Sequence, residues 1–171
     1  MSMPPLTPEG TPVQHIPSPS PAVATKRRLG LPFAAIVGLA LLAVPRVVLH
    51  DLGLISAGTL VNALLVFVPP VVWVGVAVLR RIPRAFLTLV VVGLVYGAFL
   101  ALGHQLLWDV SFGDSPPRLG GNLAGLDPAA QNVILRVFAA GSSLVTGTVV
   151  GAIAGAIAAG LQRLVRTPGR A

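Results

Sequence analysis

The chain of 171 residues has no cysteine, a single lysine, a single glutamate and a single tyrosine, and only 10% of its residues are charged. Without cysteine there can be no disulfide, no iron–sulfur cluster and no thiol nucleophile. A soluble domain carries roughly 25% charged residues, and a chain this poor in charge has too little polar side chain to cover a globule in water. Aromatic residues make up only 5% of the chain, so there is little surface for stacking bases, and the formal net charge of +7 is weak ground for nucleic-acid binding. What the sequence has in abundance is apolar surface, at 54% of residues, together with 19 glycines and 16 prolines.

A bilayer core about 30 Å thick is crossed by about 20 apolar helical residues. Four long stretches free of charge meet that length. They are Leu29–Pro45 (its apolar pattern continuing past Arg46 to Leu49), Leu52–Leu79, Ala85–Gly103 and Val137–Gln162. The expected fold is an all-α polytopic membrane protein, a four-transmembrane-helix bundle with helices at about 29–49, 54–79, 85–108 and 129–164 and an outer loop at 109–128. Short linkers at His50–Gly53 and Arg80–Arg84 make the first three helices antiparallel neighbours. A secretory signal peptide would also pair a basic cluster with an apolar run. Here Lys26-Arg27-Arg28 comes late, and Leu42-Ala43-Val44-Pro45-Arg46 offers no small-residue cleavage site.

Seven of the sixteen prolines lie in residues 1–25, which are expected to form a disordered cytoplasmic tail. Residues 26–166 form the predicted transmembrane domain, and 167–171 a short second cytoplasmic tail. The basic residues set the orientation. With a cytoplasmic N-terminus, nine of the twelve fall inside: Lys26, Arg27, Arg28, Arg80, Arg81, Arg84, Arg163, Arg166 and Arg170. Arg46, Arg118 and Arg136 stay outside with Asp51, Asp109, Asp114 and Asp127, so the positive-inside rule predicts N-in/C-in. The inner clusters are expected to meet anionic lipid headgroups of a bacterial cytoplasmic membrane.

Helix four carries a ridge of small residues every four positions, Ala139, Ser143, Gly147, Gly151, Gly155 and Ala159, and Gly93, Gly97 and Ala101 repeat the spacing on helix three. In lipid, small side chains let helix backbones approach. Gly93, Gly97, Ser143, Gly147, Gly151 and Gly155 are therefore the predicted packing face, within one chain or between two copies. Pro69-Pro70 predicts a kink in helix two.

Ionisable groups near the hydrocarbon are costly and default to functional hypotheses. Arg46, His50, Asn62, His104, Asp109 and Arg136 fall toward the outer ends of their spans, with Asp51 adding a carboxylate, and form a candidate outward-facing polar pocket. The plainer reading has Arg46 and Arg136 snorkelling or pairing with Asp109 or Asp51, the histidines interfacial, and Trp108 an aromatic-belt anchor. Neither a metal nor another cofactor is expected, since no His-x-x-x-His spacing supports a zinc site. No serine has a nucleophile context, and the only glutamate, Glu9, lies in the tail. These features favour a non-enzymatic accessory or assembly subunit, partnered by another membrane protein or a second copy. The alternative is a small transporter or membrane enzyme that uses the polar pocket.

Overall fold

Proline, hydroxyl caps and glycine decide where the helices of this chain stop, and the architecture follows from those stops. The computed structural model describes residues 29–113 and 115–166. The expectations for the tails at 1–25 and 167–171, and for Lys26, Arg27, Arg28 and Asp114, lie outside the described residues. These are all-helical: α1 (Phe33–Leu41), α2 (Val44–Asp51), α3 (Leu60–Leu79), α4 (Ala85–Leu106), α5 (Trp108–Phe112), a 3-10 turn at Gly121–Leu123, and α6 (Pro128–Arg166). Four segments are long and apolar enough to cross a membrane, namely α1 with α2, α3, α4 and α6.

The first segment, expected as one helix over 29–49, is interrupted at residues 42–43. Pro45 supplies the reason: it has no amide hydrogen for the Leu41 carbonyl, and its ring crowds that turn. The Ala43 amide turns back to Ala40 O at 3.2 Å, which leaves the Leu39 carbonyl without its helical donor. The indole Nε1 of Trp73 donates to Leu39 O instead, at 2.8 Å. Trp73 is wholly buried and meets Tyr96 edge-on, with ring centroids 6.0 Å apart. Pro69-Pro70, by contrast, leave α3 continuous from Leu60 to Leu79.

The second segment begins at Leu60 rather than 54. Thr59 caps it: its Oγ1 accepts from the Asn62 amide at 3.3 Å and donates to Ser56 O at 2.9 Å. Gly53 (φ 68) and Gly58 (φ 87) take the preceding loop through backbone conformations that an L side chain resists. The far end of α3 closes in a Schellman motif, with Ile82 N donating to Ala77 O and Arg81 N to Val78 O, both at 3.0 Å. The buried side chain of Gln162 then crosses from α6 to donate to Ala77 O at 2.8 Å.

Helices α4 and α6 run antiparallel with their backbones in contact. A Cβ placed on Gly93 would fall less than 3.0 Å from the backbone of Gly147 and Gly151, and one on Gly147 would strike Gly93 and Gly97. Gly97 faces the backbone of Ser143, and Gly155 faces Phe86. The Ser143 hydroxyl donates to Ala139 O within its own helix at 2.7 Å, which satisfies a polar atom of a buried residue. A second close approach lies at Gly103, where a Cβ would sit 2.9 Å from Val47 Cγ1, so α2 is drawn against α4.

Two glycines in α6 separate packing from flexibility. Around Gly141 no foreign atom lies within 4 Å of an added Cβ, whereas Gly147 is hemmed in by backbone. Gly147→Ala is expected to destabilise the fold by about 1–3 kcal/mol through overpacking. Gly141→Ala should be neutral or mildly stabilising through helix propensity. Thermal unfolding of the two variants side by side in detergent measures the difference.

Candidate functional site

One end of the bundle gathers the polar residues, because the breaks and caps just described bring α2, α5 and the start of α6 beside the last turns of α4. Asp51 occupies the centre. Expected in a linker, it is instead the last residue of α2, and its side chain is only 7% exposed. Its Oδ2 lies 2.6 Å from His104 Nδ1 and its Oδ1 lies 3.6 Å from His50 Nδ1. Where the carboxylate is ionised it only accepts, and the short contact is then a hydrogen bond donated from His104 Nδ1. His104 Nε2 then has no hydrogen-bond partner among the described residues. The Asp51 carbonyl accepts from Ser111 Oγ at 3.0 Å, so this one residue ties α2 to both α4 and α5.

A cleft of about 630 Å³ opens beside this dyad. Arg46, His50, Asp51 and His104 supply its charged and titratable lining, while Ser111, Ser142 and Thr146 contribute hydroxyls. All three serine hydroxyls in the walls are engaged with backbone: Ser111 with Asp51 O, and Ser142 and Ser143 with Ala139 O.

Arg46 and Arg136 are placed very differently. Arg136 donates from Nε to Asn132 Oδ1 at 3.1 Å, from Nη1 to Gln105 O at 3.3 Å and from Nη2 to Asp109 Oδ1 at 3.0 Å. Its guanidinium also lies 4.9 Å from the ring centroid of Trp108, a cation–π contact. Gln105 returns a bond to Arg136 O at 2.9 Å, which locks α4 to α6 at this end. Trp108, read as a belt anchor, is buried and packs on Phe112 with centroids 4.8 Å apart. Arg46 has one hydrogen bond among the described residues, from Nε to Asn62 Oδ1 at 3.3 Å, and no carboxylate.

Of the six residues expected to form the pocket, Arg46, His50 and His104 line the cleft. Asn62 reaches it through Arg46. Asp109 and Arg136 form a separate pair behind Trp108, with Asp109 almost fully exposed. Sequence reasoning passed over Ser111, Ser142 and Thr146 and treated Asp51 as peripheral. Asp51 had a readable signal, a carboxylate following the histidine of a proline-opened helical turn, whereas nothing in the order of residues marks the hydroxyls. Among the described residues, no three of His, Cys, Asp or Glu gather closely enough to hold a metal. No protein-family model, curated protein or solved structure matches this chain.

The Asp51–His104 and Asp109–Arg136 pairs should differ in strength. Removing His104 leaves the buried Asp51 side chain without its short contact, so a double-mutant cycle on Asp51→Ala and His104→Ala should return a coupling of about 0.5–3 kcal/mol. The same cycle on Asp109 and Arg136 should return a clearly smaller value, because water screens the exposed carboxylate. Chemical unfolding in detergent reads both.

Proposed function

We propose that the chain is a small multi-pass protein of a bacterial cytoplasmic membrane, with both termini in the cytoplasm. In this reading it is a non-enzymatic subunit that takes up a small polar ligand in its outward cleft. Orientation rests on charge: Arg80, Arg81, Arg84 and Arg163 lie at the end of the bundle away from the cleft, and Asp51, Asp109 and Asp127 at the cleft end. The observation that carries the functional reading is the cleft itself. It joins a half-buried Asp–His pair to an arginine that has no counter-ion among the described residues.

Binding is favoured over catalysis because the serine hydroxyls at the cleft are committed to backbone carbonyls. A serine nucleophile needs its proton within reach of a base, and His104 receives none of these bonds. An accessory role beside a partner membrane protein is compatible with the same cleft and needs no further chemistry from this chain.

Because the sequence has no cysteine, single cysteines report topology without background. Cysteines placed at Ser115 and at Thr146 in the cleft should react with a membrane-impermeant maleimide added outside intact cells. One at Arg80 should react only after the membrane is opened. Labelling of Arg80→Cys from outside, or protection of Thr146→Cys, would overturn the outward-cleft assignment.

A further inference from the structure

Three hollows descend along α6 in sequence order. The polar cleft reaches down to Thr146; a small cavity of about 180 Å³ spans Thr146 and Val150; an apolar groove of about 430 Å³ runs from Val150 to Ile157. They share walls. Arg46 and Thr146 line both the cleft and the small cavity, and Val66, Pro70 and Val150 line both the small cavity and the groove. The chemistry changes on the way down: the cleft has Arg46, His50, Asp51 and His104, while every residue lining the groove is apolar. From Thr146 to Ile157 is eleven residues, or about 16 Å of helix, close to half of the roughly 30 Å hydrocarbon thickness and so to one leaflet.

We propose that cleft and groove together form one binding site for an anionic phospholipid, its phosphate against Arg46 and one acyl chain in the groove between α3 and α6. The proposal rests on the outward-cleft reading above, with the polar group taken up in the cleft being the headgroup of a lipid rather than a free small molecule. Arg46 carries it. A guanidinium at this depth without a carboxylate is costly, and a phosphate relieves that cost with paired charge-assisted bonds in the fork geometry of arginine. Asp51 does not compete for Arg46, because its carboxylate is held by His104. Asn62 takes Nε and leaves the two terminal nitrogens without a partner among the described residues. The groove takes part of an acyl chain, since Val71, Ile153 and Ile157 are exposed along it and its α6 wall from Val150 to Ile157 is about 10 Å long.

The test is native mass spectrometry on the full chain in neutral detergent, titrated separately with phosphatidylglycerol, with diacylglycerol and with glycerol phosphate. Phosphatidylglycerol is expected to bind at least about ten-fold more tightly than either fragment, the scale of one charge-assisted contact. Arg46→Gln should remove that advantage, and Arg46→Lys should keep part of it while serving as the folded control if the glutamine variant does not fold. Val71→Trp, at an exposed groove position, should weaken phosphatidylglycerol and leave glycerol phosphate unchanged. Glycerol phosphate binding as tightly as the lipid, with Val71→Trp silent, would overturn the lipid site while leaving the cleft as a site for free anions. Equal binding of phosphatidylglycerol and diacylglycerol, unaffected at Arg46, would reduce the groove to ordinary lipid solvation and overturn the proposal. Failure of all three ligands, with Thr146→Cys protected from outside, would overturn both the site and the cleft reading.

Discussion

The backbone contact between α4 and α6 is the constraint on which the other features depend. Gly93, Gly97, Gly147 and Gly151 bring the two helices closer than any Cβ allows, and the interlock holds them in one register. That register runs to both ends of the pair. At one end it sets Gln105 opposite Arg136, where each side chain bonds the other's backbone carbonyl. At the other it sets Phe86 against Gly155 and brings the α6 residue Gln162 onto the carbonyl that closes α3. Slipping α6 by one residue would drive Cα and side-chain atoms into the seam and break both end contacts together.

Around this rigid pair, α1 and α2 are held less uniformly. Pro45 divides them, and at the division Trp73 takes up the Leu39 carbonyl that the Ala43 amide leaves without its helical donor. The break aims α2 so that Val47 meets Gly103, and Asp51, four residues on, meets His104. Arg46 is then turned toward the space between α2, α3 and α6. The two arginines of the polar end, alike in sequence, therefore end in opposite conditions. Arg136 lies in a long helix with Asn132 one turn behind it and Asp109 across the seam, so its donors are used. Arg46 lies in a short helical piece whose nearest carboxylate is already paired with a histidine.

Much of this architecture was legible in the order of residues, and the reason differs by element. Helices α4 and α6 are long apolar runs with a period-four ridge of small residues, a signal that depends on nothing beyond the helix itself. The start of α6 is as local: Asp127 Oδ1 accepts from the Ala129 amide at 2.9 Å with Pro128 opening the helix. The α1/α2 break was missed although Pro45 stood in the sequence, because an apolar run that continues past a proline reads as one span when hydropathy alone is weighed. The start of α3 was placed too early for the same reason. Leu54 and Ile55 are apolar, but Thr59 is the residue able to cap.

The sequence by itself determined the helical class, the number of long apolar helices and the surfaces that come closest, since each follows from composition or from spacing within a single helix. Only the tertiary structure decided which polar groups meet. Asp51 with His104, Arg136 with Asp109, and Arg46 with the amide of Asn62 rather than with an acid among the described residues are contacts across 53, 27 and 16 residues of chain. Their outcome turns on a few ångströms of helix offset set by glycine contacts elsewhere. A side chain's partners at the end of a bundle depend on the register of its whole length, and no local pattern around Arg46 encodes that register.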